Sequence, residues 1–283
     1  MRESVQMFRF STGAAALGLA LLAAGCGTTS VDKPLAKAAP APVKEIAPGY
    51  LAGYLAAGTA PNSLSLLPPP PAPGSAALAR DEEAAKAAVA LRGSARWNLA
   101  IQDAELKFPK AAETYSCALG VEISEQTTPH LYVLLRRTLV DAGLSTYPTK
   151  NLYKRARPFT QNGAPICTPD EEAVLRKDGS YPSGHTALGW AWALILAQAA
   201  PDRADAVLAR GRAFGQSRVV CNVHWLSDTD EGRIMGSAVV ARLQSNADFT
   251  ADLAAAREEI LAAHAAGKTP KRDCAAEAAA LAE

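Results

Sequence analysis

The sequence predicts an all-α protein, a compact helical bundle behind an N-terminal leader and arm. Long apolar and Ala-rich segments are bounded by Ser, Asp, Asn, Pro and Gly at the positions that start and stop helices. Strand-like alternation of apolar and polar residues occurs nowhere at useful length. With 283 residues, 49% of them hydrophobic and 20% charged, the chain can bury a sizeable core.

The leader comes first. Arg2 and Arg9 precede "GAAALGLALLAAG" (13–25), too short to cross a bilayer and the right length for a signal-peptide core, so 1–25 reads as a signal peptide. Cys26 follows in "AAGCG", which resembles a lipoprotein signal, although Ala23 stands where leucine is commonest. In such signals the cysteine is lipidated and becomes the new N-terminus. Gly27 is not the aspartate that retains lipoproteins at the inner membrane, so the expected location is the periplasm, attached to the outer membrane through Cys26. Cys117, Cys167, Cys221 and Cys274 remain, an even number in an oxidising compartment, and they can pair in three ways.

Residues 26–74 read as a lipidated tether and Pro-rich arm ending in "LPPPPAPG" (67–74), which cannot form helix. The folded domain is expected over 75–268. Ser75 caps "SAALARDEEAAKAAVALRG", with acidic residues near its start. Thr128-Pro129 opens a helix that closes at Gly143. Further helices are expected near 169–177, 184–200, 202–217, 227–245 and 247–266, with irregular segments at 144–168, 178–183 and 218–226 and a C-terminal tail over 269–283. The apolar run 187–200 is too short to span a membrane.

Those irregular segments carry the unusual chemistry. They hold "KNLYKRARPF" (150–159), "GSYPSGHT" (179–186) and "SRVVCNVHWLSD" (217–228). A net charge of +1 excludes the broad basic surface of a nucleic-acid binder, so cations act here only in a local cluster. Lys150, Arg157 and Arg218 supply positive charge for the oxygens of a transferring phosphoryl group, and guanidinium groups can grip such oxygens in pairs. Ser183 and Gly184 stand where a helix begins, so their N–H groups are expected to face an anion, and glycine removes a Cβ from its path. His224, with Asp228 four residues on to fix its tautomer, is the expected nucleophile; His185 is the expected proton donor. His and carboxylate spacings suited to a metal site are absent, so no metal and no cofactor is expected. His130 and His264 are expected at the surface, Trp190 and Trp192 in the core, and Tyr153 and Tyr181 in packing beside the motifs.

The three motifs resemble the class A bacterial non-specific acid phosphatases, within the type-2 phosphatidic acid phosphatase and vanadium haloperoxidase superfamily. The shared pattern is Lys150, six residues, Arg157-Pro158; Pro182-Ser183-Gly184-His185; and Ser217-Arg218, five residues, His224, three residues, Asp228. The octet "GSYPSGHT" is the narrower mark of the acid phosphatases, and the similarity runs from about 50 to 265. The resemblance implies an exported enzyme that hydrolyses a broad range of phosphomonoesters, without metal, through a phosphohistidine on His224. By it, Lys150, Arg157, Ser183, Gly184 and Arg218 bind phosphate, Asp228 orients His224 and His185 protonates the leaving group. The competing activities on the same residues are a vanadate-dependent haloperoxidase and a lipid-phosphate phosphatase. Expected partners are small phosphomonoesters, phosphate as product, a membrane only through the lipid anchor, and possible copies of the same chain. Because one phosphate site would draw together the loops bearing Cys167 and Cys221, those two are expected to pair, leaving Cys117 for Cys274.

Overall fold

The computed structural model describes residues 39–283; Cys26 and the leader lie outside them. The element bearing "SGHT" organises the rest. Helix α1 (Ala76–Val89) and α2 (Ala95–Ala104) come first, then α3 (Pro129–Leu144), α4 (Tyr147–Tyr153) and the central α5 (Gly184–Ala199). After them come α6 (Ala204–Val220), α7 (Leu226–Leu243), α8 (Ala247–Ala265) and α9 (Cys274–Leu281). Helix α5 is apolar on nearly every side and is surrounded: α6, α7 and α3 pack directly against it, and α8 packs mainly on α3 and also touches α5. Trp192 and Ile195 on α5, Phe214 on α6, Leu134 and Leu135 on α3 and Val239 on α7 are fully buried in one core. Trp190 is only partly buried, its indole N–H donating to Ser237 Oγ at 3.0 Å.

Close helix crossings fix where the motifs fall. A Cβ built on Gly236 of α7 would sit 2.4 Å from the Ala187 carbonyl oxygen, and one on Gly215 of α6 would sit 2.8 Å from Thr186 Cγ2. Only glycine allows α6 and α7 to approach the first turn of α5 this closely. The starts of α5 and α7 and the end of α6 therefore meet at one end of the bundle.

Start signals are well kept. Ser75 Oγ accepts from Leu78 N at 3.2 Å, and Pro129 is the first residue of α3. Helix α2 is additional to the expected helices, and its Ser94 Oγ accepts from Trp97 N at 3.2 Å. Helix ends are less well kept. Gly143 lies inside the last turn of α3, and α6 runs on through Ser217-Arg218 to Val220, because Val219 and Val220 are buried and extend its apolar face. Ser217-Arg218 is thus helical. The supposedly irregular 144–168 contains α4 and a short helix, Pro158–Asn162. The expected helix 169–177 is reduced to a 3-10 turn and Glu172–Leu175. The tail contains α9, capped by Asp273.

The arm departs furthest from expectation. Strands β1 (Glu45–Ala47) and β2 (Tyr50–Leu51) form a small antiparallel hairpin. Beyond it Tyr54 N and Leu55 N donate to the buried Asp141 carboxylate at 2.8 and 3.0 Å. Leu51, Tyr54, Ser63 and Leu67 are buried, and Tyr181 Oη donates to the Pro68 carbonyl at 2.7 Å. From about residue 44 the arm belongs to the folded body, because its few apolar residues fill gaps that the helices leave open. Both disulfides are the expected ones: Cys117–Cys274, with Cα atoms 5.4 Å apart, and Cys167–Cys221, at 4.8 Å. Among the described residues no helix is long and apolar enough to cross a membrane.

Candidate active site

At the meeting of these helix ends lies a pocket of about 420 Å³. Lys150, Arg157, Gly184, His185, Arg218 and His224 all line it. They come from α4, the turn before Pro158, the first turn of α5, the last turn of α6 and the turn before α7.

His224 is held on both sides. Asp228, in the first turn of α7, reaches back to accept from Trp225 N at 2.8 Å, and its Oδ2 also lies 3.2 Å from His224 Nδ1. A carboxylate only accepts, so Nδ1 carries the proton and Nε2 offers a lone pair. That lone pair meets Arg157 Nη1 at 3.0 Å. Burial, followed by the nearby Arg157, holds the His224 pKa well below the usual histidine value, so the ring is neutral. His185 is also held well below it, by burial and then by Arg218. His185 Nε2 lies 3.1 Å from the Ala104 carbonyl oxygen, so that nitrogen is the donor and Nδ1 is the second, exchangeable position.

The three cations differ in what already holds them. Arg157 is saturated: its guanidinium donates to the carbonyls of Leu175, Asp178 and Val223 at 2.9, 3.0 and 2.8 Å, and to Asp178 Oδ2 at 2.9 Å. Lys150 Nζ contacts the Gly179 carbonyl and lies 3.3 Å from Asp178 Oδ2. Burial and the repulsion of Arg157 push its pKa down to about 8. Arg218 is 1% exposed, yet its Nε and Nη1 have no hydrogen-bond partner. Buried, unpartnered guanidinium donors are costly unless an anion meets them.

Ser183 and Gly184 part company. Ser183 N donates to the Asp228 carbonyl at 2.9 Å, so it is not free for an anion as expected. Ser183 Oγ accepts from Thr186 N and Thr186 Oγ1, at 3.2 and 2.9 Å, which caps α5 and leaves the serine's own hydroxyl proton to donate. A Cβ on Gly184 would lie 3.4 Å from Thr146 Oγ1 and 4.0 Å from Lys150 Cε, ordinary contacts. Protein packing alone does not require glycine there.

Several participants were not foreseen. Arg155 Nη1 donates to Asp228 Oδ1 at 2.6 Å and to Ser227 Oγ at 2.8 Å, while its Nη2 donates to Asp81 Oδ2 at 2.7 Å. Ser217 faces away from the pocket: its hydroxyl donates to Asp103 Oδ2 at 2.6 Å, and Asp103 pairs with Arg210. Asp178, just before the octet, bridges Lys150 and Arg157. Asp81 and Asp103 gave no signal of a role at the site: Asp81 stands among the acidic residues near the start of α1, Asp103 is a lone acidic residue on α2, and both are far from the motifs in sequence. His130, expected to be plainly exposed, is partly buried beside Asp252 at 3.4 Å; His264 is exposed. Tyr181 is buried in packing, edge-on to Tyr153. Among the described residues, no three His, Cys, Asp or Glu side chains group so as to hold a metal ion.

Residues 129–247 match the PAP2 superfamily model. The chain is 43% identical over 209 residues to an acid phosphatase of Zymomonas mobilis, covering 74% of this chain and 79% of that protein. It is 42% identical over 207 residues to a non-specific acid phosphatase of Providencia stuartii (73% and 84%), and 43% over 200 residues to one of Salmonella typhi (70% and 80%). The chain belongs to the PAP2 superfamily, on the branch of the non-specific acid phosphatases. It is an enzyme, an acid phosphatase, and its substrates are phosphomonoesters.

Proposed function

We propose that hydrolysis proceeds without metal through a phosphohistidine on His224. The observation that carries this reading is the tautomer of His224: Nδ1–H faces Asp228, so Nε2 is the unprotonated nitrogen, and it lies on the cationic side of the pocket. Nε2 attacks phosphorus as the bond to the ester oxygen breaks, and the positive charge gained by the ring is held by Asp228. Arg218, Lys150, the Gly184 N–H and the Ser183 hydroxyl surround the phosphoryl oxygens, and Arg157, whose donors are already engaged, adds its positive charge beside them. His185 gives the leaving oxygen a proton from Nδ1, its Nε2–H remaining on Ala104. Burial and then Arg218 keep His185 neutral in the free enzyme; a bound phosphate dianion offsets the Arg218 charge and favours the protonated ring that serves as acid. Water, giving a proton back to His185 Nδ1, then cleaves the P–N bond and returns His224 and phosphate.

Brief reaction with labelled substrate, quench at alkaline pH and mass spectrometry should place the phosphoryl group on His224. Label on Ser183, or full activity in His224→Ala, defeats the mechanism. Activity should survive EDTA and be inhibited by vanadate, a mimic of the transferring group. Loss in EDTA that a divalent ion restores defeats metal independence.

We also propose export and anchoring in the outer membrane through lipidated Cys26. The "AAGCG" sequence and the even set of paired cysteines support this. Cys26→Ser should move the protein from the membrane fraction to a soluble or unprocessed form. Wild-type protein found wholly soluble, beginning downstream of Cys26, overturns the anchor.

A further inference from the structure

We propose that, within a broad range of phosphomonoesters, this site favours those of short, apolar alcohols, alkyl or aryl, and that the β1–β2 hairpin is what reads them. The proposal rests on the phosphatase reading above and concerns only the leaving group. The polar side chains of the pocket cluster at its base: Lys150, Asp178, Arg157 and His224 form one connected set, with Arg218 and His185 beside it. Outside that set the only polar side-chain groups in the lining are the hydroxyls of Tyr50 and Tyr147. The rest of the wall is apolar, including Ile46 and Tyr50 from the hairpin and Leu106, Leu139 and Leu144 opposite.

Ile46 and Leu144 are more than half exposed, at 54% and 56%, and both line this one cavity. Apolar side chains left open beside a charged base suit a ligand with a charged head and an apolar remainder. A sugar or nucleoside would bring hydroxyls into a wall that offers them almost no partners, which disfavours it. The volume, about 420 Å³ including the phosphate end, takes a ring or a short chain and not a two-chain lipid. The hairpin is well placed to be the reader, because it is pinned from behind. Arg136 Nη2 lies 3.4 Å from Glu45 Oε1 and donates to the Gly49 carbonyl at 3.3 Å, and Arg137 holds the carbonyls of Ala52 and Gly53 at 3.2 and 3.1 Å.

The test is kcat/KM of the full chain on n-alkyl phosphates from ethyl to hexyl, with glycerol phosphate as the polar comparison. The alcohols are of nearly equal acidity, so the slope reports the pocket and not the chemistry. Each buried methylene should raise kcat/KM about two- to fourfold. Ile46→Ser and Tyr50→Ser should lower the hexyl-to-ethyl ratio about tenfold. That ratio is internal to each variant and is unaffected by loss of folded protein. A flat or falling series, or glycerol phosphate preferred to butyl phosphate, overturns the proposal while the phosphatase reading stands. A rise that both variants leave untouched overturns the role of the hairpin. If no ester is hydrolysed the phosphatase reading fails. Calorimetric binding of hexylphosphonate against ethylphosphonate then decides the apolar pocket by itself: tighter hexyl binding supports it, and equal binding removes it.

Discussion

Arg155 Nη1 lies 2.6 Å from Asp228 Oδ1, and through that contact Asp81, on α1, reaches the carboxylate that orients His224. Asp228 is fully buried, and burial raises its pKa; Arg155 and the Trp225 N–H work against that rise. Removing Arg155 leaves a buried carboxylate with less compensation, which costs about 3–5 kcal/mol when such pairs are broken.

Arg155→Gln should therefore lower kcat about 10²-fold with KM little changed, since Arg155 does not line the pocket. The acid limb of the kcat profile should also move to higher pH, because a protonated Asp228 no longer fixes the His224 tautomer. Arg155→Lys should restore part of kcat. Asp81→Asn, which loosens Arg155 but leaves its charge, should lower kcat by less and without that upward shift of the limb. An unshifted profile in a folded Arg155→Gln protein refutes the relay.

The contrast between Arg155 and Arg157 shows how far the sequence could be read. Both stand in one basic run, and spacing to Pro158 marks Arg157 for the pocket, where it lies. Nothing local marks Arg155, whose partners are 72 to 74 residues away in sequence. His185, His224 and Arg218 were legible because each sits in a dense local pattern; the Cys167–Cys221 pair followed only from the loops those patterns share, and Cys117–Cys274 was what remained. Helix starts were legible through Ser75 and Pro129, whose signals are local chemistry, while the same kind of cap at Ser94 was missed. The hairpin was not, since its strands have three and two residues and no alternation to detect. The Ser183 N–H was misread because its partner, the Asp228 carbonyl, belongs to another helix.

Lys150 sets the alkaline side of the pH dependence. Its pKa is pushed down to about 8, and a lysine is charged only below its pKa. In the free enzyme the ammonium is thus lost as pH rises through about 8, and kcat/KM should fall there while kcat holds to higher pH, because bound phosphate restores the charge. Lys150→Arg should push the fall to higher pH. A kcat/KM flat from pH 7 to 9.5 in the wild type contradicts the assignment.

The two buried histidines set the acid side of stability. Both have folded pKa values well below the ordinary 6.5, so between those values the unfolded chain binds protons that the native protein does not. Stability without ligand is then complete above about pH 6.5 and falls below it, by at most about 1.4 kcal/mol per pH unit for each ring. Asp141 and Asp228, raised by burial, act in the opposite sense toward the carboxylate range. The clear window is therefore pH 7 to about 5.5. Thermal melts should drop across it without phosphate and drop less with it, since the anion favours charged rings. Identical melts with and without phosphate at pH 5.5 contradict a phosphate site flanked by these histidines.

The N-terminal arm gives the last test, through two truncations. A chain starting at residue 39 keeps every described contact of the arm. One starting at Ser75, the boundary that composition suggests, loses the burial of Leu51, Tyr54 and Leu67. It also loses both N–H donors to Asp141, the Tyr54 ring under Arg137 at 3.6 Å, and the Tyr54 hydroxyl bond to Asp252 at 2.7 Å. Each large apolar side chain returned to water costs about 1.5–3 kcal/mol, and a buried carboxylate stripped of its donors adds to that. A loss of several kcal/mol lowers the melting temperature of a body this size by about 10 °C or more. The shorter chain should melt that much lower. Asp141→Ala in the full chain should reproduce part of the drop while leaving the pocket cations in place. Equal melting of the two truncations would make the arm a passive spacer after all.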